Sequence, residues 1–141
     1  MPALAFRAAK RLLGPLIWRE TYRCLTLPWD QARAHAAQTT APAREADVRL
    51  LEREELRRYS RESAYEISAA FVDSIAGRDD LCFGAFVEGQ LAAYRFFALR
   101  PTAIDAHLRF HFPPRWIYAY KAFTLPAWRG NRLHRELRAH V

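Results

Sequence analysis

Pro126 imposes the strongest constraint on how this chain can fold. It follows Trp116–Leu125, WIYAYKAFTL, a run of aromatic and branched apolar residues with one charge, Lys121. Such a run predicts a strand over Ile117–Leu125 covered on both faces. Proline has no N–H to give a ladder, so the strand must end there. Arg129-Gly130-Asn131 then leads into Leu133, Leu137 and Val141, whose i, i+4, i+8 spacing predicts one apolar face of a helix. A strand passing through a short loop into a helix start gathers unpaired backbone N–H groups at one point. That point suits an anion, phosphate above all.

The chain has 141 residues, enough for one modest core. Hydrophobic residues make up 51% of it and aromatics 13%, which excludes a wholly disordered chain. A net charge of +7 favours anionic partners: nucleic acid, acidic membrane surface or a polyphosphate ligand. Cys24 and Cys82 form no C-x-x-C pair and read as two reduced thiols in a cytoplasmic protein. No apolar run is long enough to span a bilayer.

Residues 1–46 read as a basic N-terminal region. Within it, residues 3–13 predict a short amphipathic helix ended by Gly14-Pro15, and Ile17–Leu27 an extended segment. Membrane contact by residues 3–18 is the minor reading of that helix. Pro28–Ala46 reads as linker or surface loop. The folded domain is expected over residues 47–141. Val48–Leu51 predicts its first strand and Glu54–Tyr59 a short helix. Ser63-x-x-Glu66 has the capping-box spacing and predicts a helix from about Ala64, with Ile67, Phe71 and Ile75 as its apolar stripe and Gly77 after its end. Leu81–Val87 and Gln90–Leu99 predict two strands joined by a Glu88-Gly89 turn. Arg100–Arg115 carries three prolines and predicts a loop, with a brief strand over Ala106–Phe112.

Thr124-Leu125-Pro126-Ala127-Trp128-Arg129-Gly130-Asn131-Arg132-Leu133-His134 resembles the acyl-CoA-binding segment of GNAT-superfamily acyltransferases. Pro126, Trp128, Arg129, Gly130 and Leu133 match the family pattern in order. Arg132 and His134 stand where the family prefers Gly, and Gly or Ala. The order of predicted elements over roughly residues 47–141 also resembles the N-terminal two-thirds of that domain. The resemblance implies an α/β (α+β) fold with a mixed, mostly antiparallel sheet flanked by helices, in which further strands and a helix would follow Val141. The chain is therefore expected to be a C-terminally incomplete GNAT-like domain.

The function implied is transfer of an acetyl or related acyl group from acyl-CoA to a small-molecule or peptide amine. Attack would be direct, in a ternary complex, and a homodimer is compatible with it. By resemblance, the backbone of Ala122, Phe123 and Thr124 would bond the acyl group and pantetheine. The segment Arg129, Gly130, Asn131, Arg132, Leu133, His134 and Arg135 would hold the pyrophosphate, with Arg138 adding charge.

No catalytic residue is assigned. Asp105 and Glu136 are the only acids after the hairpin, one in a loop and one on the helix. Tyr118 and Tyr120 lie on the strand, where a tyrosine more often joins a core. His107 and His111 are four apart but lack acidic or cysteine companions, so no metal is expected. Neither cysteine has a visible His and acid set. The rival reading is a basic nucleic-acid-binding or interaction domain. It rests on Arg95, Arg100, Arg109, Arg115 and the later arginines interleaved with Phe96, Phe97, Phe110, Phe112 and Trp116. No nucleic-acid-binding module signature accompanies them.

Overall fold

The computed structural model of the chain describes residues 46–104 and 108–140. The expectations for residues 1–45, for Cys24, for Asp105 and His107, and for Val141 lie outside the described residues. The element order is β1 (Asp47–Leu50), α1 (Arg53–Tyr59), a 3-10 turn (Ser63–Tyr65), α2 (Ala69–Ser74), β2 (Leu81–Val87), β3 (Gln90–Ala98), β4 (Thr102–Ala103), β5 (Arg109–Phe110), β6 (Tyr118–Thr124), a 3-10 turn (Pro126–Trp128) and α3 (Leu133–Ala139). This is an α+β arrangement. Its main sheet has four strands in the order β1-β2-β3-β6, and β4 and β5 form a separate pair. The mixed sheet expected from the sequence is not seen: among the described residues every strand pairing is antiparallel.

The β2–β3 hairpin is the framework. Glu88 (φ 53°) and Gly89 (φ 79°) both occupy the left-handed region, as a two-residue turn matched to strand twist requires. Val87 therefore faces Gln90, and Leu81 faces Phe97 at the far end. On one face of the sheet Tyr94 and Phe96 pack with Leu56, Tyr65, Ile67 and Val72 from the α1–α2 segment. The other face is narrower: Ala85, Val87 and Ala93 pack with Leu133 and Leu137 of α3. These small residues let the helix lie close to the strands. At Gly84 an added Cβ would come within 2.8 Å of the Leu91 side chain and 3.1 Å of Leu51.

The predicted helix from Ala64 is not formed. Ser63–Tyr65 makes only a 3-10 turn, because Glu66 takes a left-handed conformation (φ 54°) that stops any helix. Burial decides this: Tyr65 and Ile67 are two apart, and both reach the core only from a non-helical backbone. The Tyr94 hydroxyl donates to the Tyr65 carbonyl at 2.8 Å and fixes the turn. Helix α2 starts later, with the Ser68 hydroxyl accepting the Phe71 N–H at 3.1 Å. Gly77 (φ 83°) lies two residues beyond the capping residue Ile75. The reciprocal acid contact expected at Ser63 occurs instead at α1, where Glu55 accepts the Glu52 N–H at 3.1 Å.

Strand β6 also departs from expectation. It is half-exposed along its length and lies at the end of the sheet order, so among the described residues it is an edge strand rather than a doubly covered one. Of the brief strand expected over Ala106–Phe112, Arg109–Phe110 is in place; it pairs with Thr102–Ala103, which the three-proline loop hid. Among the described residues no helix is long and apolar enough to cross a membrane.

Candidate functional site

Strand β6 carries an irregularity where it pairs with β3. Ala122 lies opposite Arg95 and Tyr120 opposite Phe96, so Lys121 is an extra residue. It takes a left-handed conformation (φ 37°), and its ammonium sits 4.9 Å from the centre of the Phe71 ring. Beyond this bulge the Leu125 N–H donates to the Ala92 carbonyl at 2.9 Å. Backbone groups alternate in direction along an antiparallel strand. Ala122 and Thr124 therefore turn their N–H and C=O groups away from β3, toward the open edge. The Arg129 guanidinium reaches the outward Thr124 carbonyl at 3.3 Å.

The chain then turns through Pro126–Trp128. Asn131 closes the loop with its amide N–H donating to the Trp128 carbonyl at 3.0 Å. Gly130 (φ 85°) and Arg132 (φ 58°) are both left-handed, and Arg132 stands at the capping position of α3 without a side-chain cap. A cavity of about 510 Å³ opens at this junction. Thr124 and Trp128 line it from the strand side, and Gly130, Arg132, Leu133, His134, Arg135 and Arg138 from the loop and helix.

The sequence reading and this geometry overlap in part. Thr124, Gly130, Arg132, Leu133, His134 and Arg135, all named from the sequence, line the cavity. Leu133 does so while packing its side chain on the sheet. Ala122 is exposed on the strand above. Phe123 turns its ring to the opposite face, stacked on Tyr94 at 5.6 Å, which leaves only its backbone near the cavity edge. Asn131 holds the loop closed. Trp128 was legible as a motif residue but not as cavity lining. Arg95, the lone charge within the apolar run Leu91–Leu99, entered the sequence reading only through the rival basic surface and not as a neighbour of this cavity.

The electrostatics of the cavity are one-sided. His134 Nε2 lies 2.9 Å from the Thr124 hydroxyl, and its buried Nδ1 has no hydrogen-bond partner. Burial first, then the charges of Arg95 and Arg138, hold the imidazole below its ordinary pKa. Arg135 is bonded to the Glu136 carboxylate at 3.1 Å, so Glu136 is committed to an ion pair and not placed as a base.

Other candidate groups resolve differently. The Tyr120 hydroxyl donates to Asp80 at 2.5 Å on the α2 side of the sheet, and Arg78 meets the same carboxylate oxygen at 2.5 Å. Burial, then Asp80, pushes the Tyr120 phenol far above its ordinary range, so it stays protonated. Tyr118 stacks on Tyr120 at 5.9 Å. Burial likewise raises the Cys82 thiol, which is inert at neutral pH. Among the described residues no group of three or more metal-binding side chains occurs. A second hollow, about 560 Å³, lies at the β1 edge beside Arg49 and Phe86. Arg49 there is tied to Glu55 at 2.7 and 2.9 Å and stacked over Phe86, so its charge already has a partner.

The α3-side cavity is thus the concave place where an open strand edge, a glycine loop and cations converge. No protein-family model, curated protein or solved structure matches the chain.

Proposed function

We propose that this chain carries the acyl-donor site of a GNAT-like N-acyltransferase, taking an acetyl or related acyl group from acyl-CoA to an amine. The observation that carries the reading is the junction of β6 with α3. A bulge at Lys121 is followed by outward backbone groups at Ala122 and Thr124, and the strand runs into a Gly130 loop with an arginine-lined cavity. The order of the main-sheet strands and helices, strand, helical segment, three antiparallel strands and helix, also resembles part of that family's domain.

In this reading the outward N–H groups of Ala122 and Thr124 bond the thioester carbonyl and the first amide of the pantetheine arm. The phosphates lie at the Gly130 loop among the arginines. A neutral amine attacks the thioester carbon, and charge develops on its oxygen where a fixed N–H can stabilise it. The C–S bond then breaks. The proton lost by the amine nitrogen balances the one the thiolate gains. The acceptor approaches from the open β6 edge, since β3 closes the other side.

The test is a thermal melt of the purified chain with and without acetyl-CoA. A ligand that binds only the folded state raises the transition, by about 2.7 kcal/mol of stability at 100 times its dissociation constant. A cooperative transition that acetyl-CoA does not move would sink the reading. One observation favours a second reading: the half-buried rings of Phe110, Phe112 and Tyr118 lie 4.8 to 6.4 Å apart beside exposed Arg109 and Arg115. Such a cluster of rings beside cations suits single-stranded nucleic acid. Binding of that kind would fall steeply with salt.

A further inference from the structure

We propose that Arg95, His134 and Arg138 form a side-chain site for a phosphate group, set between strand β3 and helix α3. It depends on the reading above for the identity of its natural ligand, the phosphorylated end of the acyl donor, and not for its chemistry.

Arg95 faces α3. It lies two residues along β3 from Ala93, which packs with Leu133 and Leu137 of that helix. The β3 backbone is regular between Ala93 and Arg95, because the extra residue of the bulge is on β6. Arg95 is half-buried, and its Nε is wholly enclosed with no acceptor. An arginine offers five N–H donors, and a buried one without an acceptor is costly. Its described contacts are a ring face, that of Phe97 at 6.0 Å, and the repulsive charge of Arg138. No ion pair among the described residues includes Arg95 or Arg138.

His134 adds a third group on the same side. Its Nε2 is held by Thr124, while Nδ1 is buried and unpartnered. Two guanidiniums and an imidazole thus share one side of the sheet, none of them paired with a carboxylate among the described residues, and each arginine depresses the basicity of the ring. His134 and Arg138 line the open cavity, which gives a ligand access. A phosphate group resolves the repulsion best, since guanidinium forks match its oxygens and its two charges balance two arginines. The site uses side chains of a strand and a helix. It therefore differs from backbone binding at the Gly130 loop.

Inorganic pyrophosphate and phosphate are the probes, titrated calorimetrically at fixed ionic strength, with the His134 ring followed by NMR. The wild-type chain is expected to bind pyrophosphate. Arg95→Met keeps the apolar stem, and Arg138→Gln changes an exposed position without touching the core. Each should weaken binding about tenfold or more. Bound phosphate should also raise the midpoint at which the His134 ring titrates, because it offsets Arg95 and Arg138. If Arg138→Gln binds like wild type, or the His134 signal ignores saturating pyrophosphate, the site does not exist. Acetyl-CoA separates the two ideas. Unchanged acetyl-CoA affinity in both variants removes the acyl donor as this site's ligand and leaves the donor reading intact. Arginine-dependent pyrophosphate binding without acetyl-CoA binding keeps the site and removes the donor reading.

Discussion

The Tyr120 hydroxyl and the Asp80 carboxylate meet at 2.5 Å, joining residues forty positions apart across the face of the sheet opposite α3. Asp80 immediately precedes β2, and its side chain is only 4% exposed. The same oxygen takes Arg78, whose guanidinium also reaches the Thr102 hydroxyl. One carboxylate therefore ties the start of β2 to the edge strand β6 and to the β4–β5 pair.

Asp80→Asn tests that tie. The amide keeps the shape but leaves Arg78 without its counter-charge and weakens the bond to Tyr120. Losing one member of a charged, buried hydrogen-bonded set costs about 2–4 kcal/mol. Denaturant unfolding should show a lower midpoint with an unchanged slope. A change below about 0.5 kcal/mol would mean that the network contributes little to stability.

Glu55 gives a pH-dependent prediction. Hydrogen bonding to Arg49 first, and to the Glu52 N–H next among the favourable contacts, lowers its carboxyl pKa to about 2. The folded value lies below the unfolded one, so the stabilisation is present above the unfolded pKa of about 4.3 and is lost as pH falls toward 2. The pair lies at the surface, where solvent screens it, so its worth is under about 1 kcal/mol. Glu55→Gln should lower stability at pH 7 and leave it nearly unchanged at pH 2. An equal loss at both pH values would assign the effect to packing rather than charge.

The hairpin was legible in the sequence because its signals were local. Two apolar runs flanked Glu88-Gly89, and the turn needed only the left-handed conformations those residues adopt. The Pro126 stop and the Leu133 and Leu137 stripe were local in the same way. The failures depended on distant partners. Ser63-x-x-Glu66 has the spacing of a cap, yet Tyr65 is held by Tyr94 from β3, which no local pattern encodes. The apolar richness of β6 predicted a covered strand, but its rings pack with one another and with Phe71 on one face, leaving the edge open. Arg95 reads only as one member of a long basic set until the fold turns it toward α3, where it acts on His134 together with Arg138.

Gly130 supplies a prediction confined to backbone conformation. An added Cβ would meet nothing within 4 Å, so Gly130→Ala introduces no clash. Its φ of 85° still strains any residue with a Cβ, by about 1 kcal/mol or more. Calorimetry should show a lower Tm, and Gly130→Asn should lose less, because asparagine tolerates the left-handed region better. Equal losses for the two variants would point away from φ as the cause.

His134 couples the cavity to pH. Its folded pKa lies below the ordinary value, first because it is buried and then because Arg95 and Arg138 repel a third positive charge. Below about pH 6.5 the unfolded chain therefore binds a proton that the folded chain resists. Stability should fall as pH drops from 7 toward 5. Across this interval the carboxylate of Glu55 stays ionised in both states, so it adds little slope. Comparison with His134→Asn isolates the ring from the other histidines: the variant should lose part of the acid-side slope while wild type keeps it. Saturating phosphate should flatten the wild-type slope too, since an anion beside the arginines makes protonation of His134 tolerable. A slope that is identical in wild type and His134→Asn would show that the ring does not titrate differently on folding.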